Sequence, residues 1–148
     1  MKKLFSLLFL FTILFSSLLT GRDSIAQSDP EADGILIHIS SGHDNPHRVV
    51  MALKMATIMA EDKAVLVYLD INGIDVVLKD SEDISYPTFP TSHESIKILL
   101  EKGINIYACP SCMQAAGKTA EDLMDGIKIA KKDIFFNFTK GRIVTIDY

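Results

Sequence analysis

Residues 104–117, Ile104-Asn105-Ile106-Tyr107-Ala108-Cys109-Pro110-Ser111-Cys112-Met113-Gln114-Ala115-Ala116-Gly117, hold both cysteines of the chain. The alternating apolar residues Ile104, Ile106 and Ala108 read as a short buried strand. Pro110 suits the first position of a helix, where its missing amide costs nothing. Cys109 is therefore expected at a strand-to-helix corner. The unpaired amides of a helix start favour an anion, so a thiol there loses its proton more readily than in water. Cys109 is the candidate nucleophile, and Cys112 lies one helical turn along.

Working outward, Gly34 to Ser40 is a largely apolar run of strand length bounded by glycine and by Ser41-Gly42, and is expected to be a buried first strand. His38 inside it reads as a hydrogen-bonded core histidine rather than a ligand. Ser41-Gly42-His43-Asp44-Asn45-Pro46 is turn chemistry, with Asn45 as an N-cap and Pro46 as the first helical residue. The helix that follows, about residues 47–60, has only Lys54 as a charged residue from Val49 onward, with Thr57 the other polar one. A helix apolar nearly all round is covered on more than one side, by the sheet and by another subunit, so a homo-oligomer is expected. Met51, Met55 and Met59 share one face and read as core packing rather than a soft-metal site.

Ala64 to Leu69 is a second apolar strand ending at Asp70, and a strand, a helix and a strand with short links make a parallel pair. Asn72-Gly73 marks the loop above it, and residues 75–79 a helical turn. Asp80 to Thr91 carries Pro87 and Pro90 and is expected to be a mobile surface loop over the site. Ser92 is the expected cap of a helix with an Ile96, Leu99, Leu100 stripe, ending at Gly103. After the cysteine corner, a short helix runs to about Gly117 and Thr119 caps a further turn. Residues 127–130 form a short strand, residues 133–139 a helix or an aromatic edge piece, and residues 142–147 a closing strand.

These elements sum to a single α/β domain, doubly wound, with a mostly parallel sheet of about five strands flanked by helices. The working face of such a fold lies beyond the carboxyl ends of its strands. That rule gathers the loop at Ser41 to Asn45, the turn at Asp70 to Gly73, and Cys109 on one edge. His43, Asp70, Asn72, Gly73 and Pro110 are thus candidate site-lining residues beside Cys109 and Cys112.

Composition bounds the setting. A content of 48% hydrophobic and 23% charged residues belongs to a globular chain. Met1-Lys2-Lys3 precedes an apolar run from Leu4 to Leu19, and Ser24-Ile25-Ala26 is a small-x-small cleavage site. Residues 1–26 therefore read as a secretory signal peptide cleaved after Ala26, residues 27–33 as a polar tether and residues 34–148 as the domain. The run falls short of the roughly 20 residues of a spanning helix, so no stable membrane span is expected after cleavage. Removing it takes the formal net charge from −4 to about −6. Such a surface offers little to a polyanion, and no nucleic acid partner is expected. In the periplasm or outside the cell, a close cysteine pair closes to a disulfide unless a reductant or a sulfur donor acts on it.

These residues resemble the DsrE/DsrF-like sulfur-relay family, which includes the TusD-type carriers. The likeness spans most of the mature chain in outline. Its sharpest feature is a cysteine at the end of the third strand with a glycine eight positions on, here Cys109 and Gly117. The Cys-Pro-x-Cys form of many members is present as Cys109-Pro110-Ser111-Cys112, while Ala116 stands where an arginine is often found. The resemblance implies a DsrEFH-like fold, a persulfide held on Cys109, and assembly as a homo-trimer or hexamer. It also implies exchange with sulfur donor and acceptor proteins or small sulfur compounds, in the manner of a sulfurtransferase-like carrier. No cofactor and no metal are expected.

Two other classes compete. Cys-x-x-Cys at a helix start is also the thioredoxin arrangement, so the pair suits a thiol-disulfide oxidoreductase. A non-catalytic module could instead bind a small sulfur compound or a soft metal, with His43, His47 and His93 joining the thiolates. Element order favours the relay: in thioredoxin-like domains the motif ends the first strand of the catalytic unit, whereas here it follows two strands and a nearly all-apolar helix.

Overall fold

The computed structural model describes residues 33–148; the signal peptide and all but the last residue of the tether expected upstream lie outside the described residues. Five strands, β1 (Gly34–Ile39), β2 (Ala64–Leu69), β3 (Asn105–Ala108), β4 (Lys128–Ile129) and β5 (Ile143–Asp147), form one sheet in the order β4-β3-β2-β1-β5. Every pairing is parallel. Four α-helices accompany them among the described residues: α1 (Pro46–Met59), α2 (Ser92–Glu101), α3 (Pro110–Ala115) and α4 (Ile134–Asn137). The fold is the expected parallel five-stranded sheet flanked by helices.

Side chains alternate across a strand, so each strand serves two faces. One face presents Ile35, Ile37 and Ile39 from β1, Val65, Val67 and Leu69 from β2, and Ile106 and Ala108 from β3. It is buried against Val49, Val50, Leu53 and Ala56 of α1 and Ile96 and Leu99 of α2. The other face carries Leu36, His38, Leu66, Tyr68 and Tyr107, and the short α4 segment packs there. Phe135 meets Tyr68 edge-on, with ring centroids 5.1 Å apart. A hollow of about 540 Å³ opens beside α4 at the amino ends of β2 and β3, lined by Leu66, Asn105, Tyr107, Ile134 and Phe138. It lies at the end of the strands away from Cys109.

Local chemistry sets the helix starts. The Asn45 side chain accepts from the Arg48 amide at 3.4 Å, and Pro46 opens α1. On α1, Lys54 is exposed, Met55 and Met59 pack at the margin of the core, and Ile58 keeps 44% of its surface open. The cap of α2 is Thr91, which accepts from the Glu94 amide at 3.3 Å, and not Ser92 as expected. Ser92 is buried because it serves the preceding segment. Its hydroxyl accepts from the Ile84 amide and donates to Asp83 Oδ1, which also accepts from the His93 amide, each at 2.9 Å.

Residues 80–91 form the expected surface loop, and this staple ties it down. Ile84 is buried, and Tyr86 stacks on His47 with centroids 4.3 Å apart and planes 5° apart. The segment is anchored to α2 and to the start of α1. The helical turn expected at 75–79 is a 3-10 stretch that begins at Ile71 and runs to Val77. Within it Gly73 lies against the end of β1, where an added Cβ would stand 2.2 Å from the Ile39 carbonyl oxygen.

Candidate functional site

Cys109 follows β3 directly and is the residue before Pro110, which opens α3. Its amide donates to the Leu69 carbonyl at 2.8 Å, tying the corner to the end of β2. Gly117, with φ +67, stops α3 at its far end: the Gly117 and Lys118 amides return to the carbonyls of Gln114 and Met113. This is the closure that a left-handed glycine permits.

Strand register assembles the rest. Asp147 pairs with His38, His38 with Tyr68, and Tyr68 with Tyr107. By alternation, Asp147, His38, Tyr68, Asp70 and Cys109 then belong to one face at the carboxyl edge of the sheet. His38 Nδ1 and Asp147 Oδ1 share a hydrogen bond of 2.6 Å. His38 Nε2 stands 2.9 Å from Asp70 Oδ1, an ion-pair contact off the line of a good hydrogen bond. Burial pushes the imidazole down, but the bonds and charges of Asp147 and Asp70 outweigh it and leave His38 above its ordinary value.

The two sulfurs are unlike. Burial alone would raise the Cys109 thiol; the Tyr68 hydroxyl, the amide and thiol of Cys112, and the Ser111 amide overcome this and hold Cys109 below its ordinary value. For Cys112, the Ile71 amide favours the thiolate, donating to its Sγ at 3.2 Å. Burial, the hydrogen bond to Cys109 and the negative charges of Cys109 and Asp70 prevail there, and Cys112 is pushed up. Tyr68 is pushed up strongly, first by burial and then by its bond to Cys109 and the charges of Cys109, Asp70 and Cys112. The two sulfurs are thus pushed in opposite directions, Cys109 down and Cys112 up, beside a phenol that is itself pushed up.

Ile71 is 61% exposed and sits at φ +47, a left-handed backbone that a β-branched residue rarely takes. The bend aims its amide at Cys112, an instance of strain beside reactive groups.

Among the residues singled out from sequence, Asp70 joins this group through His38 and through its charge on Cys112 and Tyr68. Asn72 and Gly73 form the adjoining turn, with the Gly73 amide bonded to the Asp70 carbonyl at 2.7 Å. His43 is turned elsewhere: its Nε2 donates to the Glu82 carbonyl at 3.0 Å, and it lines a separate hollow with Asp75, Asp80 and Lys118. His47 is stacked on Tyr86, and His93 lies against Asp83. Among the described residues no group of three or more His, Cys, Asp or Glu is placed to hold a metal ion.

Sequence reasoning did not find Tyr68, Asp147 or the role of Ile71. The signal for Tyr68 was its place two residues before Asp70 in an alternating strand, which sets both on one face.

Comparison with known proteins bears on the family and the fold. The model of the DsrE/DsrF-like family matches residues 33–140. An uncharacterized protein of Methanopyrus kandleri is 27% identical over 109 residues, covering 73% of this chain and 88% of that protein. An uncharacterized protein of Methanocaldococcus jannaschii is 25% identical over 108 residues, 72% of this chain, which spans only 39% of that relative's length. The solved structure of the ychN protein from E. coli superposes with a TM-score of 0.59 at 14% identity, covering 79% of this chain and 100% of that one, a likeness of fold. On the extent of the family match, the chain belongs to the DsrE/DsrF-like family.

Proposed function

We propose that this chain carries sulfur as a persulfide on Cys109, taking it from a donor and giving it to an acceptor thiol. Membership of the DsrE/DsrF-like family suggests a sulfur-relay-like role, and the observation that supports Cys109 as the carrier is the asymmetry of the cysteine pair. A carrier needs a thiolate to attack the donor's outer sulfur, and the same group must later leave as a thiolate. Cys109 is held low and Cys112 high, so the first attack belongs to Cys109.

Cys112 has a second act in this scheme. Its sulfur attacks the inner sulfur of the Cys109 persulfide, a Cys109–Cys112 disulfide forms, and the outer sulfur departs with the bonding pair as hydrosulfide. The hydrogen bond between the two thiols equally favours a second reading, thiol-disulfide exchange through the pair; reduction of insulin at a thioredoxin-like rate would make that the better one. The setting that goes with the carrier reading is an exported homo-oligomer that meets donor and acceptor outside the cytoplasm.

Intact-mass measurement after incubation with polysulfide tests it. The expected gain is one sulfur atom, about 32 Da, kept in Cys112→Ser and lost in Cys109→Ser. No gain in Cys112→Ser protein, reduced beforehand, would overturn the proposal, because in the wild type Cys112 can expel the added sulfur as hydrosulfide.

A further inference from the structure

We propose that Tyr68 is the hydrogen-bond donor to the Cys109 sulfur that makes this cysteine, and not Cys112, the group from which a carried sulfur departs. The inference deepens the carrier reading and rests on it for the transfer step. Its footing is geometric. β2 and β3 pair in parallel with Tyr68 opposite Tyr107 and Leu69 opposite Ala108, and the Cys109 amide is bonded to the Leu69 carbonyl. The corner is thereby locked one residue beyond the pairing, with Cys109 on the face that Tyr68 occupies.

The ring of Tyr68 is held from two sides. Phe135 stands edge-on at 5.1 Å, and His38 lies at 5.7 Å from the neighbouring strand. A clamped ring loses little freedom when its hydroxyl bonds the sulfur, so the contact is pre-organised. The charged and titratable groups around the pair are His38 from β1, Asp70 after β2, Asp147 from β5 and Cys112 from α3. The carboxylate of Asp70 and both sulfurs oppose a negative charge on the phenol, so Tyr68 donates and does not exchange its proton.

In the transfer step an acceptor thiolate attacks the outer sulfur of the Cys109 persulfide. A new sulfur–sulfur bond forms on the acceptor, the old one breaks, and Cys109 leaves with the electron pair as a thiolate; there is no net oxidation, and the proton of the outer sulfur travels with it. A donor at the Cys109 sulfur stabilises the leaving thiolate, and a less basic leaving thiolate departs faster.

The test uses the full protein carrying Cys112→Ser, so that one thiol reports. The rate of Cys109 alkylation by iodoacetamide is followed against pH, with and without Tyr68→Phe. Loss of the hydroxyl is expected to raise the midpoint by about one pH unit. A midpoint that does not rise overturns the proposal. Sulfur release from polysulfide-loaded protein to a small thiol should slow about threefold in the same variant. The alkylation profile needs no loaded sulfur, so a chain that never takes up sulfur would sink the carrier reading without touching this measurement. Should Tyr68→Phe fail to fold, Phe135→Leu loosens the clamp while keeping the hydroxyl, and its midpoint must move the same way by a smaller amount.

Discussion

His38 ties three strands together at a single side chain, and its titration makes that tie measurable. Asp147 and Asp70 outweigh burial and raise its folded-state pKa above 6.5. The native state thus holds the proton more tightly than the unfolded one. The added stability is fully present below the unfolded value and is lost as pH rises through the folded value. Thermal melts of the wild type and His38→Gln from about pH 5 to 9 should draw together as pH rises; melts that stay parallel would deny the linkage. Reading His38 as a hydrogen-bonded core histidine describes its bonding but not its burial, since its side chain keeps 28% of its surface open and lies outside the core. Its partners were not legible, because Asp147 lies 109 residues away and meets it only through the β1–β5 register. Cys109 was legible for the opposite reason, since its strand, its proline and its helix are all within a few residues of it.

Elements whose ends are written in adjacent residues were read closely from sequence. Asn45 with Pro46, and Cys109 with Pro110, mark helix starts where the structure has them. The segment at 80–91 is the surface loop expected, but its anchoring was not legible, because it comes from side chains bonded to backbone across eight to ten residues, which neither periodicity nor composition reports. Ser92 is the centre of that staple. Ser92→Ala leaves the buried Ile84 amide without its acceptor and removes a donor from Asp83, and should cost about 1–3 kcal/mol. A lower denaturant midpoint with an unchanged slope is the expected signature. A midpoint within error of wild type would mean that the His93 amide and the Ile84 side chain hold the segment by themselves.

At the scale of the whole molecule, the two faces of the sheet are dressed unequally. α1 and α2 cover one, while α4 is a single turn on the other. Phe136 at 74% exposure and Ile143 at 45% leave apolar surface on the α4 side, and Val144 at 57% leaves more at the β5 edge on the opposite face. Exposed apolar surface of this kind supports the proposed homo-oligomer. Sedimentation equilibrium should give a mass that is a multiple of one chain, and a single-chain mass at micromolar concentration would remove the proposal. The rule that function gathers at the carboxyl edge brought Asp70 and Cys109 together from sequence alone; it also pointed to His43, which the structure commits to Glu82, because an edge is wider than a site.

The strand order has one more consequence. β1 lies in the interior of the sheet, yet one of its neighbours, β5, is encoded about a hundred residues later. During synthesis at about 5–20 residues per second, β1 must wait roughly 5–20 s with one hydrogen-bonding flank unsatisfied. Until β5 is in place, one side of β1 is an open hydrogen-bonding edge of the kind that pairs with other chains, wherever folding is completed.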